Sequence, residues 1–147
     1  MRANQLAEKI RANIAAMRAN QAQETLRVTL DLIALVRLRV QSDGKDYQEQ
    51  DFDPYTPGYA RQRAKAGYQV GYVDFTRTGR LWASVQPEVQ AQGGDIVSIN
   101  VAPRGQDNVD KARGARRKRG NILLPSDSEV DIARQSNRER IRKYISL

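Results

Sequence analysis

The 147-residue sequence lacks both cysteine and histidine. Without cysteine, disulfides and thiolate metal sites are excluded. Without histidine, the commonest general base and the commonest metal ligand are both missing. This inventory excludes Ser-His-Asp and Cys-His hydrolases and typical zinc sites, and leaves only carboxylate, lysine, serine or tyrosine chemistry. We therefore predict that the chain is not an enzyme and that it uses no cofactor or metal.

Long apolar runs are also missing. Stretches such as Ile33–Val36 are far shorter than the roughly 20 apolar residues that a membrane-spanning helix needs. The N-terminus carries Arg2, Glu8, Lys9 and Arg11 and shows no apolar segment typical of a secretory signal. We accordingly expect an intracellular product without a membrane partner. The formal net charge of +8 favours polyanionic or acidic partners.

Residues 1–41 are predicted to form a helical arm. Apolar residues recur there at helical spacing, and no glycine or proline occurs before Gly44. An alternative stays open at its end, because Val36, Leu38 and Val40 alternate with arginines as in a strand. The apolar positions that carry the helical pattern are Leu6, Ile10, Ile14, Met17, Leu26, Leu30, Ile33 and Val36.

An acidic loop is predicted over residues 42–55. Five carboxylates face one lysine, Lys45, which gives the segment a local net charge of −4 over residues 43–53. Such a surface is a candidate for a contact between subunits. The acidic residues are Asp43, Asp46, Glu49, Asp51 and Asp53.

A short helix and an antiparallel sheet are predicted over residues 56–102. Thr56 can cap the helix, Pro57 suits its first position, and Gly67 can close it. Alternating residues predict strands near 70–75, 85–89 and 97–101, with a hairpin turn at Gly93-Gly94. Pro87 indicates an edge strand.

The segment 121–147 is predicted to hold a last buried strand and a C-terminal helix. The apolar run ends at Leu124, and Ser126 with Glu129 forms a capping box for the helix. The predicted fold is therefore a single α+β domain. In it, the long N-terminal and C-terminal helices pack on a small antiparallel sheet of three to four strands.

The sequence from Tyr55 to Val85 reads YTPGYARQRAKAGYQVGYVDFTRTGRLWASV. This resembles the tail-completion and head–tail-joining proteins of tailed phages, the virion-morphogenesis family. Those proteins show a Thr-Pro helix start, a basic helix ending in glycine, and then a Leu-Thr-x-Thr-Gly-x-Leu-x-x-Ser segment. Phe75 stands where the family often has leucine. The apolar run 121–124 followed by Pro125 and a helix is similar to the family's C-terminal pattern.

The resemblance implies a structural virion protein that forms a ring in the phage neck and joins the head connector to the tail. Its implied partners are copies of itself, portal or connector proteins, tail proteins and the double-stranded DNA in the channel. Its implied location is the virion, after assembly in the host cytoplasm. Gly79 is expected to supply a tight turn, and Leu81 or Trp82 to anchor the sheet against the helices. The motif residues are Thr56, Pro57, Gly67, Thr78, Gly79, Leu81 and Trp82.

A basic loop is predicted over residues 103–120, with six positive charges within nine residues. Three interpretations remain open: a solvated loop, a contact with DNA in the ring lumen, or a contact with a protein partner, such as the acidic loop of a neighbouring subunit. No aromatic residue interrupts the run, which argues against base stacking. The net charge leaves a small basic nucleic-acid-binding protein as the alternative function. The basic residues are Lys111, Arg113, Arg116, Arg117, Lys118 and Arg119.

Overall fold

A computed structural model describes residues 3–93 and 96–145 and confirms the α+β class. Five α-helices and a two-stranded antiparallel sheet occupy the described chain, and a single π-helical turn follows the first helix. In chain order they are α1 (Ala3–Leu38), the π turn (Arg39–Asp43), α2 (Pro57–Lys65), α3 (Arg80–Ser84), β1 (Val85–Gly93), β2 (Ile96–Pro103), α4 (Gln106–Arg119) and α5 (Asp127–Ile145).

Helix α1 is continuous over 36 residues, which at 1.5 Å per residue makes it about 54 Å long. The predicted arm is confirmed, and the alternative of a strand at Val36–Val40 is wrong. The chain leaves the helix through the π turn at Gly44, whose φ of +64° is left-handed. A Cβ at Gly44 would lie 2.7 Å from the ring of Tyr72, so glycine is required there for two reasons.

Helix α5 packs antiparallel to the C-terminal half of α1. Its first turn is held by an ion pair between Arg39 and Glu129 at 2.8 Å, and its last turn lies against Glu24. The predicted capping box is confirmed: the Ser126 amide donates to Glu129 Oε2 at 2.8 Å, and the Glu129 amide donates to Ser126 Oγ at 3.3 Å. Residues 3–21 of α1, which we call its N-terminal segment, extend past the end of α5.

The sheet has two strands, fewer than predicted. β1 and β2 are confirmed, with Val85 opposite Pro103, Val89 opposite Ile99, and a bulge after Val89. Gly94 of the predicted hairpin turn lies outside the described residues. Because the sheet has only these two strands in the described chain, Pro87 does lie on an edge strand.

The other two predicted strands are wrong. In residues 70–75 the Asp74 carboxylate accepts a hydrogen bond from the Thr76 amide at 2.9 Å, and Phe75 has a φ of +51°, which no strand accommodates. At residues 121–124 the Leu124 amide donates to the Asn121 carbonyl at 3.1 Å and closes a turn. In both places a local side-chain or turn hydrogen bond replaces the strand pairing that was predicted, from alternation at 70–75 and from an apolar run at 121–124.

The predicted basic loop is also wrong, because residues 106–119 form α4. Arginine, lysine and alanine are good helix formers, and the basic last turn suits the negative end of the helix dipole. Gly105 and Gly120 flank the helix with φ of +84° and +80°. Burial of Ala115 in the core, with Ala112 packed against it, stabilises this helix. Gly105 and Gly120 therefore mark the two ends of α4, whereas Gly114 lies inside it.

The core lies where the C-terminal part of α1 meets α3, β1 and α4. Gly79, at φ +72°, turns the chain into α3, so that both Leu81 and Trp82 point inward. Both side chains belong to the buried cluster that also holds Val36 of α1 and Val85 of β1. The buried apolar cluster of the core contains Val36, Val40, Leu81, Trp82, Val85, Ala115 and Ile122.

Helix α2 begins at Pro57 as predicted and is followed by Gly67 in the left-handed conformation (φ +77°). The predicted cap is wrong in one respect, because the Thr56 side chain makes no capping hydrogen bond. The motif residues of the α2–α3 region thus serve as helix ends, a turn and core.

Candidate assembly surfaces

The six basic residues of the predicted loop lie on different sides of α4. Lys111, Lys118 and Arg119 line a groove of about 1100 Å³. Arg113 and Arg116 line a separate, smaller cleft beside residues 121–124, while Arg117 lines neither of these. A single six-charge surface is therefore not formed, because a helix spreads consecutive residues around its circumference.

The larger groove combines cations with tyrosines. Its opposite wall carries Tyr55, Tyr59 and Tyr68 from the α2 region, and the turn from Thr76 to Gly79 lines it as well. Within the described part of the chain, no carboxylate lines this groove. The aromatic residues missing from the basic run itself are thus supplied by a distant segment, and the groove can attract an anionic ligand.

Beneath the tyrosines lies a buried ion pair that the sequence did not reveal. Arg63 is 4% exposed, donates to both carboxylate oxygens of Asp74 at 3.1 and 3.2 Å, and donates to the Thr76 carbonyl at 2.9 Å. Its guanidinium lies 4.6 Å from the ring centroid of Tyr55 and 5.4 Å from that of Tyr68. This network fixes the position of the tyrosine wall.

Tyr55 closes the network at Asp74. Its hydroxyl donates to Asp74 Oδ1 at 2.9 Å. Burial, and after it the hydrogen bond to the Asp74 carboxylate, raises the pKa of Tyr55 from 10.0 to about 12. The neutral phenol is therefore the form that the fold holds near neutral pH.

The acidic loop is a narrow turn whose carboxylates have different roles. The Asp46 carboxylate accepts hydrogen bonds from the Gln48 and Gln50 amides at 2.9 and 3.0 Å, so it shapes the turn. Glu49 accepts a hydrogen bond from Ser128, and this bond is the largest cause that lowers the pKa of Glu49. Asp43, Asp51 and Asp53 are also exposed.

The acidic loop and the end of α4 meet within one chain. The Arg119 guanidinium donates to the backbone carbonyl of Asp53 and, at 3.2 Å, to that of Pro54. The two oppositely charged segments therefore share one side of the molecule. This shared position argues against pairing of the acidic loop of one subunit with α4 of the next, because a head-to-tail contact joins two different sides of the molecule.

The N-terminal segment of α1 carries a partly exposed apolar stripe. Leu6, Ile10 and Ile14 are 37%, 40% and 41% exposed. At 100° per residue, the stripe lies on the same side of α1 as Glu24 and Asp31, the residues that α5 contacts. The face that α5 covers thus continues past the end of α5.

The end of α5 is pinned to α1 by Glu24. This carboxylate is 6% exposed and accepts hydrogen bonds from Lys143 and, at 3.0 Å, from the Tyr144 hydroxyl. The hydrogen bond from Lys143 is the main cause that lowers the pKa of Glu24 below 4.5. One helical turn earlier in α5, Arg140 forms an ion pair with Asp31 of α1 at 2.5 Å.

The described residues hold no group of three or more acidic, histidine or cysteine side chains arranged to bind a metal ion. None of the helices in this part of the chain has the length and apolarity needed to cross a bilayer. In comparisons with protein-family models, curated proteins and solved structures, nothing matched this chain.

Proposed function

We propose that the chain is a non-enzymatic structural subunit of a tailed bacteriophage, a ring-forming neck or tail-completion protein that joins head connector to tail. The observation that carries the proposal is the apolar stripe on the N-terminal segment of α1. Leu6, Ile10 and Ile14 project from a helix that extends past α5, its packing partner. An apolar helix face that is not covered within its own chain is normally buried by assembly.

The stripe has the dimensions of an interface. Residues 3–21 span about 28 Å of helix, comparable to the stretch of α1 that α5 covers. Complete burial of a side chain of this size contributes about 1.5–3 kcal/mol. Because Leu6, Ile10 and Ile14 are already more than half buried, covering the remainder contributes roughly 1 kcal/mol each. A contact of this kind stabilises an assembly of many copies without requiring any catalytic group.

The assignment to the phage neck rests on the resemblance from Tyr55 to Val85. The structural roles of its motif support that reading. Gly79 turns the chain, while Leu81 and Trp82 join α3 to α1 and α4 in the core. A motif with these roles preserves a scaffold, as expected for a protein whose function lies in its surfaces.

The test is assembly. We expect the purified chain, mixed with connector or tail proteins, to form rings visible by negative-stain electron microscopy. The variant Ile10→Asp/Ile14→Asp is expected to abolish them, because it places charges in the stripe. Ala12→Asp/Ala19→Asp is the matched control, since both alanines lie on the opposite side of α1. A wild-type chain that joins neither ring nor particle would refute the proposed function.

Nucleic-acid binding is the second candidate, and the groove beside α4 favours it. Lys111, Lys118 and Arg119 line a groove that in the described chain has no carboxylate in its walls. Electrostatic binding to phosphates would weaken steeply with salt. A salt titration of duplex and single-stranded DNA binding tests this candidate with Lys111→Gln/Lys118→Gln. Arg113→Gln/Arg117→Gln serves as the control with the same loss of charge, and equal effects of both pairs would exclude the groove.

A further inference from the structure

Two uncovered surfaces lie at opposite ends of α1. The first, which we call the stripe face, consists of Leu6, Ile10, Ile14 and Met17, with Arg11 and Arg18 along one edge. The second, the loop face, consists of the acidic loop of residues 43–53 together with Tyr72. From their composition, one is apolar with a basic edge and the other acidic with tyrosines.

The loop face has apolar area as well as charge. Tyr47 at the tip of the loop is 38% exposed, and Tyr72, whose ring packs over Gly44, is 37% exposed. Tyrosine is enriched at protein interfaces because it combines apolar area with a polar tip. With Asp43, Asp51 and their neighbours giving a net charge of −4 over residues 43–53, the loop face complements the stripe face in both respects.

The two faces of one chain cannot meet. Helix α1 runs without interruption from Ala3 to Leu38, so about 42 Å of helix separates Ile10 from its C-terminal end. The loop face begins just beyond that end. Complementary surfaces held apart by a rigid helix can be satisfied only between molecules.

Pairing of like faces is disfavoured by charge. In an antiparallel pair of stripe faces, Arg11 of both copies borders the same seam, where like charges repel. Two loop faces would bring together ten carboxylates and two lysines. The basic end of α4 is a poor partner for the loop of another copy, because Arg119 already contacts Asp53 and Pro54 of its own chain.

We propose that the stripe face of one copy docks on the loop face of the next copy. The contact is heterologous, so each copy offers one face to each of two neighbours, an arrangement that gives a ring where the rotation between copies closes. The inference rests on the proposed ring function and names the surfaces that form its subunit contact. Arg11 would lie against Asp51 and Asp53, and the apolar stripe against the tyrosines.

The absence of native cysteine permits a direct test by disulfide trapping. Ala7→Cys places a thiol on the stripe face, and Gln48→Cys places one at the tip of the loop face. Oxidising an equimolar mixture of the two variants should give a crosslinked dimer, whereas each variant alone should crosslink far less. Ala12→Cys, on the opposite side of α1, replaces Ala7→Cys as the control and should not crosslink to the loop.

Charge reversal then tests the electrostatic part. Adding Asp51→Lys/Asp53→Lys to the loop variant should lower the crosslinking yield about tenfold at low salt. Adding Arg11→Glu to the stripe variant should restore much of it. Reversal of Asp107 and Asp110 on α4 changes the net charge equally and should leave the yield unchanged. Emission from buried Trp82 checks that each variant is folded.

The outcomes separate this inference from the proposed function. Crosslinks between two stripe faces, or a yield that ignores both charge reversals, would overturn the head-to-tail contact even if rings still form. Failure of the wild-type chain to enter rings or particles would instead overturn the proposed function. Selective stripe-to-loop crosslinks with restoration by the charge swap are the result that supports the contact.

Discussion

The ion pair between Arg39 and Glu129 gives the sharpest stability prediction. Arg39 is 7% exposed, and its Nε lies 2.8 Å from Glu129 Oε1. The same guanidinium donates to the Lys45 carbonyl at 2.8 Å and to the Leu124 carbonyl at 2.9 Å. One side chain thus ties the end of α1 to the start of the acidic loop, to the turn before α5 and to α5 itself.

Arg39→Met keeps much of the side-chain volume and removes the charge. It leaves the Glu129 carboxylate buried and without its cation, a situation that costs about 3–5 kcal/mol. For a protein of this size, 1 kcal/mol corresponds to about 2–4 °C in Tm. The loss is a large part of a typical total stability of about 5–15 kcal/mol, and we expect Tm to fall by about 6–20 °C.

Urea unfolding at pH 7, followed by circular dichroism and by Trp82 fluorescence, measures the loss. Arg37→Met is the matched control, since Arg37 is exposed, and it should change stability by less than about 0.5 kcal/mol. Arg39→Met/Glu129→Gln should be more stable than Arg39→Met alone, because glutamine removes the stranded charge and can still accept the Ser126 amide. A loss below about 1 kcal/mol for Arg39→Met, or strictly additive effects in the double variant, would refute this reasoning.

Three further predictions concern other contacts. Because the fold raises the pKa of Tyr55, the stability that this group contributes should be fully present below pH 10 and lost towards pH 12. Tyr55→Phe should remove a tyrosinate absorbance step near pH 12. Because the fold lowers the pKa of Glu24, its contribution to the free energy of unfolding is present above about pH 4.5 and lost as pH falls through the folded pKa. Lys143→Met should raise the pKa of Glu24, which a carboxyl NMR titration measures. Gly44→Ala should destabilise the fold by more than about 1 kcal/mol, because its φ is left-handed and the added Cβ would clash with the ring of Tyr72. Gly114→Ala inside α4, where no described atom lies within 4 Å of the added Cβ, should stabilise it by about 0.5–1 kcal/mol. Thermal unfolding measures both changes.

Sequence periodicity and capping were sufficient for the long elements. The helical recurrence from Leu6 to Val36 and the Ser126–Glu129 box predicted α1 and α5, and alternation over residues 85–101 predicted the hairpin strands. These signals are local, because they arise from the geometry of one element and its ends. The missing cysteine and histidine limited the chemistry in the same direct way, by inventory.

Only the tertiary structure decided where the charges lie. Arg63 and Arg39 read as surface residues, since arginine is rarely buried unless paired, and their partners Asp74 and Glu129 are distant enough in sequence to give no cue. The hydrogen bonds of Asp74 also explain why residues 70–75 do not form the strand that alternation predicted. The arginine-rich segment is a helix whose buried face, at Ala115, packs in the core.

The sequence by itself determined that this is an α+β chain with long amphipathic helices and without thiol or imidazole chemistry, because composition and periodicity are properties of the chain alone. The tertiary structure decided which helix faces remain uncovered. Ile10 and Ile14 are partly exposed because the contacts of Glu24, Asp31 and Arg39 place the described part of α5 against the C-terminal half of α1. Surfaces of this kind arise from packing between distant segments, which no local pattern encodes.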